Sequence, residues 1–307
     1  MHHHYYRQRI FNKLTYTRRM FSFNPLDIPI RERHQHIISA VGPRPIAWAS
    51  TMNKDGKANL APYSFFNAFG SNPPTLVFSS NRRGRNNTTK DTLHNIEDNR
   101  EVVINVVSQQ LLHQMTISST EYNAEVDEFV KAGVSKLESE TIRPYRVKES
   151  PVQFECKVTD IVYTGKEGGA ANLFICNIER MHMDERILDE NGRIDAQKIQ
   201  LMGRMGGSNY VKAFGDSVIE INNPFDKLNL GFDQLPDHIK HSTVLSGNDI
   251  AKMAMLTDFP NNVLIESIGL MPEVSELSDN VALHQLAQQW LDKGEVEEAF
   301  ALLLSAI

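Results

Sequence analysis

The stretch NRRGRNNTTKDT, Asn81 to Thr92, sets four cations (Arg82, Arg83, Arg85 and Lys90) against a single acid, Asp91. The chemistry within reach of such a cluster is the holding of a small anion such as a phosphate group. Asn86, Asn87, Thr88 and Thr89 are N-cap residue types. Leu93 and Ile96, at helical spacing, predict a helix over 89–99. The first-turn N–H groups of a helix lack internal partners and lie at the positive end of its dipole, so they can take an anion. Lys90 in that first turn is electrostatically misplaced for a plain helix, because cations favour the other end. A bound phosphate reverses the penalty, and the Thr92 hydroxyl adds a donor. A solvated basic turn with an ordinary cap accounts for the same residues, so the segment alone leaves both readings open.

A second feature is GPRPIAWAST (42–51), followed after a turn by NLAPYSFFNAFGSNPPTLVFSS (59–80). Asn59, Pro62, Ser64, Phe65 and Phe66 interrupt an otherwise clean strand. Pro62 removes a ladder donor, so the strand should lie at an edge or leave its neighbour there. Such a break frees backbone N–H and C=O groups for something other than the sheet, and a planar heteroaromatic ring with a polar rim would suit them. An irregular hairpin with an aromatic cluster buried for packing fits equally. Elsewhere, His182 and Arg180 share one face of a strand and read as structural, while Asp184, Glu185 and Asp189 read as a solvated acidic rim. Cys156 and Cys176 sit among alternating apolar residues (QFECKV, LFICNI) and read as core thiols, with no metal site.

The elements that must position these residues alternate short β-rich runs with turn signals. PIAWAST (45–51), TLVFSS (75–80), EVVINVVS (101–108), VQFECKVTDIVYT (152–164) and NLFICNIERMHM (172–183) are the strand candidates. The Asp55-Gly56 turn predicts a hairpin of 45–51 with 58–65, and DENGR (189–193) predicts another turn. SQQLLHQMTISS and NAEVDEFVKAG read as helices, the second closing on Gly133. Long β runs with short helices between them point to a closed antiparallel barrel in a mainly β fold. Three segments are expected: an N-terminal arm or tag-like piece at 1–24, with His2, His3 and His4 outside the chemistry; the barrel domain at 25–222; and a helical extension at 223–307. In the extension, Leu283, Leu286 and Trp290, then Val296, Ala299 and Leu302, give two amphipathic helices broken at Gly294. A net charge of −6 argues against broad nucleic-acid binding. No apolar run approaches the ~20 residues of a membrane span. Together with two unpaired core cysteines, this suggests a reducing cytoplasmic setting.

Taken together, RPIAWAST, NLAPYSFFNAF, PPTLVFSS, KDTLHNI and GRMGGSNY resemble, in order and spacing, the flavin reductase-like FMN-binding split-barrel family over about residues 25–215. The resemblance implies a six-stranded antiparallel Greek-key split barrel, dimeric, with FMN at the subunit interface. Ser50 and Thr51 would then bond the ribityl chain or phosphate. Asn59, Ala61, Pro62, Ser64 and Phe65 would line the isoalloxazine edge, and Ser79 and Ser80 would close the site. Lys90, Asp91 and Thr92 fall on the family's phosphate position, with at most one of the three arginines touching it. Arg204 becomes a candidate for the flavin's pyrimidine end, against a solvent-facing arginine in a Gly-rich turn. Trp48 either approaches the ring or is a core residue. The implied function is an FMN-dependent oxidoreductase taking hydride from NAD(P)H and passing electrons to a small-molecule, metal or protein acceptor. The alternative is an FMN-binding electron carrier or storage protein without its own NAD(P)H oxidation. The Gly-Asp-His that often marks reductases releasing diffusible flavin is absent, with Ala170, Ala171 and Asn172 at that place. That departure favours retained flavin.

Overall fold

The computed structural model describes residues 20–123, 125–221, 226–277 and 279–305. Most of the expected N-terminal arm, including His2, His3 and His4, lies outside the described residues. The chain divides into two compact units, one running to Val218 and the other from Ile219.

In the first unit, α1 (Ile30–Ala40) precedes β1 (Ala47–Met52), β2 (Ala58–Tyr63), β3 (Phe66–Ser71) and β4 (Pro74–Ser79). α2 (Asp91–Asn99), β5 (Glu101–Val106), α3 (Leu112–Ile117) and α4 (Glu128–Ala132) follow. β6 (Lys136–Leu137) and β7 (Arg146–Val147) pair only with each other, and the long hairpin β8 (Val152–Tyr163) and β9 (Asn172–Met183) comes next. β10 (Met202–Arg204) and β11 (Tyr210–Lys212) form a separate ribbon. The Asp55-Gly56 turn does close a hairpin, with Ala49 opposite Ala61 and Gly56 at φ 81°. α4 stops where expected, at Gly133 with φ 65°.

The main sheet corrects the six-stranded closed barrel. It has seven antiparallel strands in the order β2-β1-β5-β8-β9-β4-β3, and its ladder does not close. The physical reason lies at Pro62. The run read as one strand ends at Tyr63, and the chain resumes at Phe66 paired with β4, Phe66 opposite Phe78, instead of β1. Consecutive stretches of chain, separated by Ser64 and Phe65, therefore form the two opposite ends of the sheet order.

Alternation along the strands sorts the core into two faces. Ala47, Ala49, Phe78, Ile104, Phe174 and both cysteines pack with Leu93 and Ile96 of α2. Trp48, Leu60 and Val107 pack on the other side with Met115 of α3 and Phe129 of α4. Each large apolar side chain so buried contributes about 1.5–3 kcal/mol, which fixes α2 on one side of β1–β2 and α3–α4 on the other.

The second unit is helical, with segments Asp237–Lys240, Gly247–Ala254, Asn262–Gly269, Pro272–Ser275, Asn280–Lys293 and Val296–Leu304. Its own core gathers Ile239, Met253, Ala287, Leu291, Phe300 and Leu302. The last two helices part at Gly294, whose φ of 86° is the left-handed conformation glycine adopts freely. Ser246 and Asp249 form a reciprocal capping box at the start of Gly247–Ala254.

Candidate functional site

The outer edge of β2 carries two adjoining hollows that share Tyr63 and Ser119. One, about 160 Å³, is lined by Ile46, Pro62, Ser64, Met115, Arg204 and Tyr210. The other, about 40 Å³, reaches Asn59, Ala61, Arg83, Lys90, Asp91 and Thr92. A groove thus runs along β2 from Arg204 at one end to the start of α2 at the other.

The α2 end has an anion-binding character. Lys90 is the N-cap, not a first-turn residue, and no side chain caps the helix. The conspicuous arginines are already engaged. Arg82 donates to Asn87 Oδ1 at 2.6 Å and to its carbonyl at 2.7 Å. Arg83 and Arg85 both pair with Glu121, at 3.0 and 3.1 Å. Arg83 also donates to the Thr89 carbonyl. Among the described residues Lys90 has no carboxylate partner, and its Nζ lies 4.7 Å from the Tyr63 ring centroid. Asp91 is exposed at the first helical position, where negative charge complements the dipole. Nearby, the Glu128 carboxylate accepts from Leu60 N at 3.3 Å on the edge strand. Burial, followed by repulsion from Asp91 and Asp127, pushes the Glu128 carboxyl above its usual range, against the hydrogen bonds it accepts.

Behind the groove a buried polar network joins β1, β2 and α2. The Thr92 hydroxyl is fully buried and accepts from Tyr63 Oη at 2.8 Å and from Asn59 Nδ2 at 3.0 Å. Thr51, equally buried, accepts from Asn59 at 3.2 Å and from Asn95 at 3.0 Å. Thr51 and Thr92 therefore hold the groove's wall together from behind. Trp48 is a core residue; its Nε1 donates to Ser118 Oγ at 2.9 Å and it has no exposed surface. Ser50 lies beside it on the same strand face, and among the described residues the buried hydroxyls of Ser50 and Ser80 have no hydrogen-bond partner. Ser79 Oγ donates to Asn81 Oδ1 at 2.6 Å at the end of β4.

At the other end, Arg204 donates to the Gly207 and Asn209 carbonyls at 2.6 and 3.2 Å, and its guanidinium stacks 4.5 Å from the Tyr210 ring centroid. The turn that holds it is packed on α1: a Cβ on Gly206 would collide with Ser39 Oγ and stand 3.1 Å from Ser39 Cα. Phe65 leaves the groove and lines a separate hollow beside α1. The structure thus brings together Asn59, Ala61, Pro62, Ser64, Lys90, Asp91, Thr92 and Arg204, and does not bring Trp48 or Phe65 to the same groove.

Residues missed in the sequence include Tyr63, which joins both hollows, and Arg44. Arg44 is buried and donates to the Ile38 and Val41 carbonyls at the end of α1, both at 2.6 Å. It also donates to the Met205 carbonyl at 3.1 Å and approaches Ser64 Oγ at 3.4 Å. One guanidinium therefore ties the helix end, the β2–β3 break and the Arg204 turn. Burial, reinforced by the nearby Arg204 charge, lowers its pKa. Its place between two prolines at the start of a strand was the only signal in the sequence.

Residues 41–198 match the flavin reductase like domain family. An uncharacterized protein of Aquifex aeolicus (strain VF5) is 38% identical over 185 residues, which are 60% of this chain and 92% of that protein. Among solved structures, nitrilotriacetate monooxygenase component B from Bacillus cereus superposes with a TM-score of 0.61 at 28% identity, over 66% of this chain and 99% of its own. The 2-nitrobenzoate 2-nitroreductase of Pseudomonas fluorescens gives 0.60 at 27% identity, over 69% of this chain and all of its own (100%). Among the described residues, no helix is long and apolar enough to cross a membrane, and no group of three or more His, Cys, Asp or Glu is placed to hold a metal ion.

Proposed function

The chain belongs to the flavin reductase-like domain family, and from that premise we propose that it is an FMN-dependent oxidoreductase that retains its flavin in the groove along β2. The observation that carries this reading is the pairing of an uncapped helix start, and a Lys90 with no carboxylate partner among the described residues, with a strand edge broken at Pro62.

The donor set fits a phosphorylated ring system. Lys90 and the first N–H groups of α2 supply cationic and backbone donors for the phosphate. Asn59, Ala61, Pro62 and Ser64 present the strand edge to the ring, and Arg204 places a cation at the far end, where it favours negative charge. Met115, Ile46 and Pro62 contribute apolar surface to the groove's wall. Among the described residues the buried hydroxyls of Ser50 and Ser80 have no hydrogen-bond partner. Bound FMN would supply the redox chemistry, accepting hydride from a reduced nicotinamide and delivering electrons to a small-molecule, metal or protein acceptor. The protein's part is to bind, orient and shield.

Hollows of about 160 and 40 Å³ fall below the roughly 300–1,000 Å³ of a ligand site. A second protomer closing the groove would complete it, in a homodimer acting in the cytoplasm. A second reading, an electron carrier that does not itself oxidise nicotinamide, is favoured by Asn172. Its side chain donates to the Ser80 carbonyl at 2.6 Å and is buried, at the place where the Gly-Asp-His of flavin-releasing reductases is absent.

The test is to purify the protein with FMN and add NADH or NADPH without oxygen while following the flavin's visible band. Bleaching with either nucleotide supports the oxidoreductase. Bound flavin that stays oxidised with both supports the carrier, and a chain that takes up no FMN rules out both.

A further inference from the structure

A hollow of about 410 Å³ lies apart from the β2 groove, between α1 and the loop Thr164–Ala170. Its size falls in the range of small-molecule sites. α1 turns one stripe toward it, Ile30, then Arg33 and His34, then Ile37, spaced so that all lie on one helix face. Phe65 lines the hollow, with the His34 ring 6.1 Å away and edge-on at 81°. The opposite wall is glycine-rich for a steric reason. Gly169 has φ 86°, and a Cβ there would stand 2.6 Å from Ile30 Cδ1, while one on Gly168 would stand 3.1 Å from the Arg83 carbonyl. The loop is thus fixed against α1 at a set width.

The lining combines flat and aliphatic surface with positive charge. Arg33 donates to the Pro25 and Ile28 carbonyls at 2.7 and 3.2 Å, which holds its guanidinium in place without neutralising it. Lys166 lines the other wall. Among the described residues neither cation pairs with a carboxylate, and Glu167 is the one acid in the lining. Aromatic and aliphatic walls attract a planar apolar body, and two cations without an ion pair, against one acid, attract an anionic substituent.

Phe65 also belongs to the two-residue break between β2 and β3, immediately after Ser64 of the groove. A molecule seated against Phe65 is therefore next to the strand edge assigned to the flavin ring. We infer that this hollow is a binding site for a small aromatic carboxylate, with its ring against Phe65, Ile30 and Ile37 and its carboxylate toward Arg33 and Lys166. Its place beside the flavin rests on the flavin reading above; the recognition of an aromatic anion does not.

Benzoate and its neutral isostere benzamide are the probes, titrated calorimetrically into the full chain. FMN affinity is measured separately by quenching of flavin fluorescence. Benzoate is expected to bind saturably, and benzamide roughly ten- to a hundredfold more weakly, the usual range for a charge-assisted contact. Lys166→Glu should weaken benzoate by a similar factor and Ile37→Trp should abolish its binding by filling the hollow. Both variants should keep the wild-type FMN affinity, which also reports that they fold. Equal binding of the two probes, or no saturable benzoate binding in protein that binds FMN, overturns the site and leaves the flavin reading standing. Charge-dependent benzoate binding in a chain that takes up no FMN upholds the site and overturns the flavin reading.

Discussion

Tyr63 Oη donates to Thr92 Oγ1 at 2.8 Å, joining the last residue of the edge strand to the first turn of α2. The bond fixes the ring-facing strand relative to the anion-facing helix, because Lys90, two residues before Thr92, lies over the same Tyr63 ring at 4.7 Å. The two ends of the proposed flavin site are thereby one rigid piece.

Thr92→Val keeps the shape and removes the acceptor of the buried Tyr63 Oη and of the half-buried Asn59 Nδ2, which retains Thr51 Oγ1 as a second acceptor. The expected cost is about 1–3 kcal/mol, the penalty for stranding buried polar groups. For a domain of this size that corresponds to a fall in Tm of roughly 2–12 °C, with a matching loss of FMN affinity. Thr92→Ser should retain most of both. Calorimetric unfolding with and without FMN measures the difference, and a Val variant as stable as the parent would show the network to be dispensable.

The hairpin at Asp55-Gly56, α2 and the glycine stops at Gly133 and Gly294 were legible because each follows from local chemistry: a turn dipeptide, a helical spacing, a residue free at positive φ. The division of the sheet at Ser64–Phe65 was not. Pro62 announces that a donor is missing, but which strand the continuation joins is decided by pairing with β4 and β9, far along the chain. Within the site, Lys90 was legible because its charge is misplaced for a plain helix. Ser50 and Thr51 were read as a pair, although neighbours on a strand point to opposite faces. Thr51 joins the network under α2, and Ser50 falls on the Trp48 side. Arg44 escaped notice because its partners are carbonyls of Ile38, Val41 and Met205, which carry no sequence signature.

Arg44→Met should therefore act on both fold and site. It strands the carbonyls at the end of α1 and releases Ser64 and the Arg204 turn. Bonds to a charged donor are worth about 1.5–3 kcal/mol, so a fall in Tm of roughly 3–12 °C is expected. Weakened FMN binding should accompany it at temperatures where the variant is still folded. Retained FMN affinity in folded Arg44→Met would show that the guanidinium supports α1 alone.

Acid should destabilise the first unit through Glu155. This side chain is fully buried on β8. Burial alone would raise its pKa, but the Thr141 hydroxyl, the Glu140 and Thr141 N–H groups and His182, bonded at 2.8 Å, outweigh it and bring the carboxyl to about 2. A folded pKa below the unfolded 4.5 means the unfolded chain takes up a proton first as pH falls. The stabilisation is complete above pH about 4.5 and is lost progressively down to about 2, amounting to about 3 kcal/mol. Denaturant midpoints measured across that window should show the slope, and Glu155→Gln should flatten it while lowering stability at neutral pH.

Lys90→Ala addresses the phosphate assignment directly. Arg82, Arg83 and Arg85 are already bonded to Asn87 and Glu121, so they are poorly placed to substitute for the lost charge. A charge-assisted contact of about 1.5–3 kcal/mol corresponds to roughly ten- to a hundredfold in affinity. FMN should lose that factor and riboflavin, which lacks the phosphate, should lose little, both read by fluorescence quenching. Raised salt should weaken FMN binding to the parent more than to the variant, since screening acts on the charge removed. If both ligands weaken equally, Lys90 acts through the Tyr63 ring it covers and not on a phosphate. Arg83→Ala then becomes the comparison that decides whether any cation of the 82–90 segment holds the anion.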